Sequence, residues 1–151
     1  MSFSQLKDAL HWIADYQRDL KEQYQKLAQD APKTKVGAVL QYLGDHAGET
    51  ETGLRRYLET APAEMLETWS RTTPELPQIP QLEKSKCCLC SSTVKEVTEM
   101  ALSIHAAKDS MYQTLEEFSE LQSQRELLRT LREAEAAEIR RVVRDIARFE
   151  S

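Results

Sequence analysis

Apolar residues recur three, four or seven positions apart along most of this chain, the spacing that lines one face of an α-helix. A first stripe, Leu6, Leu10, Ile13, Leu20, Tyr24 and Leu27, predicts a helix from about Ser4 to Ala31, ended by Pro32, whose ring cannot continue a helix. A second, Val36, Leu40, Leu43, Ala47, Thr50, Leu54 and Tyr57, predicts a helix from about Thr34 to Glu59. The connection between them is a few residues, so the pair are antiparallel neighbours. A third stripe, Val94, Val97, Ala101, Ile104, Lys108, Met111 and Leu115, opens at Thr93-Val94-Lys95-Glu96, a capping-box pattern. The fourth is Leu128, Leu131, Glu135, Glu138, Val142, Ile146 and Phe149, and Ser123-Gln124-Arg125-Glu126 reads as a second capping box that marks the turn into it.

Between the two hairpins, from Thr60 to Ser92, the periodicity stops. Thr60 is a candidate cap for a short helix from Pro62 to Trp69, and Thr73–Pro80 is proline-punctuated and extended. A connection this long is unusual in a compact domain unless it travels somewhere, and helices of roughly 26 residues are about 40 Å long, so it can cross from one end of a bundle to the other. The prediction is an all-α chain, one domain over residues 1–151, folded as an antiparallel four-helix bundle with one long crossover, about 60–92, between the second and third helices. Composition agrees. The four glycines all lie between Gly37 and Gly53, four of the five prolines lie between Pro62 and Pro80, and Val and Ile are scattered without strand-like alternation.

The net charge of -5 argues against nucleic acid or anionic lipid as the main partner. No run of about 18 apolar residues occurs, so no membrane span is predicted, and the N-terminus carries no apolar signal core. The three cysteines, Cys87, Cys88 and Cys90, are clustered and odd in number, which is not a disulfide framework; the expected setting is a reducing cytoplasm. They lack a nearby fourth metal ligand, so they read as small apolar residues at the start of the third helix, with reversible thiol chemistry as the alternative.

Polar residues interrupt the apolar stripes: Gln17 on the first helix, Thr50 on the second, Lys108 on the third, Glu135 and Glu138 on the fourth. A charge on a buried stripe is costly unless it is paired, protonated or bound to metal. The first helix reads Ala9-Leu10-His11-Trp12-Ile13-Ala14-Asp15-Tyr16-Gln17 with Tyr24 seven positions on, the second Leu43-Gly44-Asp45-His46-Ala47-Gly48-Glu49-Thr50, and the fourth Leu131-Arg132-Glu133-Ala134-Glu135-Ala136-Ala137-Glu138. These frames resemble the rubrerythrin-like and ferritin-like di-iron proteins, in which two helices each give a Glu and two each give a Glu-x-x-His pair. The resemblance implies a ferritin-like bundle, self-association, and ligand positions at Gln17, Ala47, Thr50, Lys108, Glu135 and Glu138, of which only Glu135 keeps the family's ligand type.

The expected function is therefore a non-catalytic helical bundle acting through a protein partner or its own copy as a homo-oligomer, a dimer for instance, with no cofactor. One alternative is a di-metal oxidoreductase or metal-binding protein using iron or manganese with altered ligands. Another is a small-ligand carrier using the polar bundle centre. In the first reading Lys108 stands where a metal's charge would stand and pairs with Glu135, Glu138 or both, with Gln17 and Thr50 adding hydrogen bonds; the blander reading lets the charges snorkel to water. His11 falls outside the apolar face and His46 and His105 at its borders, so all three histidines read as surface residues. Gly44 and Gly48 permit a close helix approach, and Trp12, Tyr16 and Trp69 are candidates for a satellite cluster. Arg140, Arg141, Arg144 and Arg148 read as a solvated face near a helix C-terminus.

Overall fold

A computed structural model describes residues 3–68 and 93–150. Every element of these residues is a helix: α1 Leu6–Asp30, α2 Lys35–Thr60, α3 Ala63–Glu67, α4 Val94–Glu117 and α5 Gln122–Glu150. α1 and α2 form one antiparallel hairpin, α4 and α5 the other, and α2 lies against both helices of the second hairpin.

The turn between α1 and α2 is built from a few specific atoms. Thr34 caps α2: its Oγ1 accepts from the Gly37 amide at 2.9 Å and donates to the Ala31 carbonyl at 2.9 Å. Lys33 takes up the left-handed conformation that reverses the chain, with φ 62. The cap brings α2 back so tightly that a Cβ on Gly37 would stand 2.0 Å from the Ala31 carbonyl oxygen, so only glycine fits. Further along, a Cβ on Gly44 would touch Tyr24 Cβ and Gln25 Cγ at 3.3 Å, which is the close approach the sequence suggested. Arg55 then pins the hairpin, with Nη2 2.9 Å from Asp15 and Nε 2.6 Å from Glu51.

The second hairpin opens with the predicted capping box: Thr93 Oγ1 accepts from the Glu96 amide and the Glu96 carboxylate accepts from the Thr93 amide. The box predicted at Ser123 does not form. α5 starts at Gln122, so Ser123 is already helical, and Gln124 Oε1 accepts from the Leu121 amide at 3.2 Å instead. The other end of the Gln124 amide donates to the Met65 carbonyl at 2.8 Å in a buried bond that ties α3 to α5. Arg132 joins the two helices of the hairpin through Asp109 at 3.1 Å and Glu116 at 3.5 Å.

α3 is shorter than expected and its N-cap position is Pro62; Thr60 ends α2, with its hydroxyl donating to the Arg56 carbonyl at 3.2 Å. Met65 and Leu66 anchor this turn in the core, and Gln5 at the foot of α1 donates to the Glu67 carbonyl at 3.0 Å. Trp69, Thr73–Pro80, Cys87, Cys88 and Cys90 lie outside the described residues.

The four predicted stripes supply most of the core, each fully buried Leu, Ile, Val or Met being worth about 1.5–3 kcal/mol. Trp12 stacks on Tyr16, with ring centroids 5.7 Å apart, and packs against Phe3. Tyr57 departs from its stripe. It is 39% exposed, because the space between α2 and α5 is open there. Among the described residues no helix is long and apolar enough to cross a membrane.

The glycine geometry makes a paired prediction. Gly37→Ala should cost about 3 kcal/mol because a backbone carbonyl has to move, whereas Gly53→Ala, which meets nothing within 4 Å, should gain about 0.5–1 kcal/mol. Urea unfolding of the two variants checks this, and equal midpoints would contradict the tight turn.

Candidate functional site

The polar centre of the bundle grows from the fourth stripe. Glu135 faces inward from α5, and Lys108 faces it from α4 between Ile104 and Met111. Lys108 Nζ lies 2.8 Å from Glu135 Oε1, with the lysine side chain 2% and the glutamate side chain 7% exposed, so this is an ion pair in the dry interior. The other carboxylate oxygen, Oε2, accepts from His105 Nδ1 at 2.7 Å, one turn before Lys108 on the same helix. Both oxygens of Glu135 are thus occupied by α4.

Burial pushes the Glu135 carboxyl up, but the Lys108 ammonium and the His105 ring together more than reverse this, and its pKa lies below the ordinary value. Tyr112, buried one turn beyond Lys108, has its phenol pushed up, first by burial and then by the Glu135 charge.

A second pair sits one turn further along α5. Glu138 Oε1 lies 2.5 Å from His46 Nδ1 on α2, although the approach is not aligned as a hydrogen bond. Its Oε2 is 3.5 Å from the exposed guanidinium of Arg141. The His46 ring rests on Tyr42 with centroids 4.3 Å apart, and the Tyr42 hydroxyl donates to Asp145 at 2.8 Å, which holds His46 and α2 against α5. The Arg144 guanidinium, followed by that hydroxyl, holds the Asp145 carboxyl below its usual range.

Two spaces flank these pairs. A small cavity of about 20 Å³ lies among Gln17, His46, Thr50, His105, Lys108 and Glu138, which is room for one water-sized molecule. Gln17 is 1% exposed, and its Nε2 has no hydrogen-bond partner. On the other side, a groove of about 240 Å³ runs between α2 and α5, lined by Thr50, Leu54, Tyr57, Leu131, Glu135 and Glu138 among others. Thr50 and Glu138 border both spaces.

The structure therefore brings together Gln17, Ala47, Thr50, Lys108, Glu135 and Glu138 around one centre, as their stripe positions implied. Lys108 pairs with Glu135, one of the arrangements expected, while Glu138 turns to His46. Gln17 and Thr50 add no hydrogen bond to the pair: Gln17 Nε2 is unpartnered, and the Thr50 hydroxyl donates to the His46 carbonyl of its own helix at 3.1 Å. The reading of His46 and His105 as surface residues is corrected. Both are largely buried, and each meets a carboxylate on a neighbouring helix. His11 is exposed, as expected. Asp109, one turn beyond His105 on α4, turns to Arg132. Arg144 and Arg148 stay exposed and lean on Asp145.

No protein-family profile matches the chain, and no curated protein does. Among solved structures, a protein of Thermotoga maritima, provisionally described as a ferritin-like diiron-carboxylate protein, superposes with a TM-score of 0.64 over 93% of each chain at 13% identity. This fold is ferritin-like. At that identity the likeness is one of architecture: the ferritin-like layout of two hairpins and a crossover is what puts α4 and α5 face to face with α1 and α2 around the polar centre.

Removing one member of a buried pair strands the other, so Lys108→Met should destabilise the bundle by about 3–5 kcal/mol at neutral pH. The double variant Lys108→Met with Glu135→Leu should recover most of that loss, as read by denaturant unfolding. Tolerance of Lys108→Met alone would mean that the stem packs and the charge is idle. The pH dependence has a definite sign. Because the Glu135 pKa is lowered on folding, its stabilising effect is complete above the unfolded value of 4.5 and fades as pH falls through the lower folded value. The stability difference between wild type and Glu135→Gln should therefore shrink below pH 4.5, measured as the gap between their thermal midpoints.

Proposed function

We propose that this chain is a non-catalytic ferritin-like bundle that works by binding another protein surface, its own copy included, and that Lys108 carries inside it the positive charge a metal would otherwise supply. The observation that carries this reading is the 2.8 Å contact of the buried Lys108 ammonium with Glu135. Each oxygen of that carboxylate already has a partner, Lys108 on one and His105 on the other, and an ammonium beside it repels a cation.

The donor set supports the same view. Iron or manganese in a bundle needs several anionic oxygens and imidazoles converging on one point. Ala47 offers no donor, Gln17 offers an amide, and among the described residues no three His, Cys, Asp or Glu side chains are grouped to hold an ion. The residues present do not fit a di-iron centre.

A second reading has its own observation. The groove of about 240 Å³ beside Thr50 and Glu135 approaches the 300–1,000 Å³ usual for small-molecule sites, and it favours a carrier of a small ligand.

Metal analysis of protein purified without added iron should give iron and manganese well below one atom per chain. A stoichiometric content that Glu135→Ala removes would reverse the reading in favour of a metalloprotein. Light scattering across a concentration series should show self-association, and a monomer at every concentration would leave only a different partner.

A further inference from the structure

The groove between α2 and α5 has a chemical asymmetry. Leu54 and Tyr57 give it apolar surface on one side and Leu131 on the other, and Glu135 and Glu138 also line it. The cation that balances Glu135 is not on this side: Lys108 borders the inner cavity and not the groove. Each oxygen of Glu135 nevertheless has a partner on α4. Glu138 is less well met. Its Oε1 is buried against an unaligned histidine, and its Oε2 faces only a half-exposed guanidinium at 3.5 Å, a pairing worth little in water. A carboxylate with spare acceptor capacity at Oε2 among apolar walls is complementary to an ammonium carried on an apolar body.

We propose that this groove binds a small amphipathic primary amine, its ammonium donating to Glu138 and its apolar body lying between Leu54, Tyr57 and Leu131. The proposal rests on the carrier reading and goes beyond it by fixing the charge and shape of the ligand. Gly53 supplies the means to test it. A Cβ there meets nothing within 4 Å and Gly53 lines the groove, so a larger side chain grows into the ligand space, while leaving glycine behind favours the helix.

The experiment is calorimetric titration of the full chain with three probes of one shape: 2-phenylethylamine, 2-phenylethanol and 3-phenylpropanoate. The amine should bind, the alcohol about tenfold or more weaker, and the carboxylate not at all, since a charge-assisted hydrogen bond is worth at least a factor of ten. Glu138→Gln should weaken the amine about tenfold or more. Gly53→Leu should abolish its binding while unfolding at or above the wild-type midpoint, which separates a blocked groove from a damaged fold. Equal binding of amine and alcohol, or preference for the carboxylate, overturns the amine assignment and leaves the carrier reading standing. Binding of none of the three, or amine binding indifferent to Gly53→Leu, overturns both.

Discussion

The buried contact between Lys108 and Glu135 is the constraint around which the bundle is arranged. Two opposite charges withdrawn from water incur a desolvation cost that their attraction offsets only when the geometry is close and the remaining polar atoms are satisfied. Here one oxygen of Glu135 meets the ammonium and the other meets His105, so a single neighbouring helix gives each oxygen a partner. That condition fixes α4 against α5. A slide of one residue would separate the charges and rotate Met111 and Ile104 away from the core they now fill. The pair thus specifies register at least as much as it adds stability, which is the use of buried ion pairs that physical argument best supports.

The rest of the structure keeps that geometry in place with polar ties at the margins. Arg55 bridges α1 and α2 through Asp15, and Arg132 and Arg129 bridge α4 and α5 through Asp109 and Glu116, so guanidinium clasps flank both hairpins. Tyr42 and His46 tie α2 to α5 through Asp145 and Glu138, linking one hairpin to the other. At the foot of the bundle, Gln124 bonds both the start of its own helix and the Met65 carbonyl of the crossover turn. These contacts are individually modest, and the exposed ones are screened by solvent. Their value is positional, since each removes a way for one helix to slip past another.

Helix positions and the inward-facing charges were legible in the sequence because both follow from the 3.6-residue period: a lysine and a glutamate that fall on an apolar stripe must be buried together or stranded. The capping box at Thr93 was legible because hydroxyl and carboxylate sit at fixed offsets. What was missed depends on neighbours. His46 and His105 lie at stripe borders, and whether a border is wet depends on which helix covers it, a fact that no single helix encodes. Tyr57 lies on a stripe yet is exposed, because the facing helix stands away at that level. Ser123 looked like a cap, but Gln124, two residues inside the true start of α5, satisfied the free amide first. Gln124 itself carries no periodic signal, and its burial is decided by the crossover turn that docks on it.

The two acidic residues of the polar centre are partnered differently. Here the helices converge on a space where Lys108, Glu135, Glu138 and two histidines stand close together. Lys108 balances Glu135 from the inner side, which turns the ammonium toward the small cavity and leaves the carboxylates bordering the groove. Glu138 and Thr50 are the partition between the two spaces, one faced by an unpartnered Gln17 amide and the other by apolar walls. The cavity has room for about one water, so whatever larger molecule the bundle accepts has to meet it from the groove side. On the proposed carrier reading, the charge that meets a ligand there is the Glu138 carboxylate, because the buried lysine pairs with Glu135 instead.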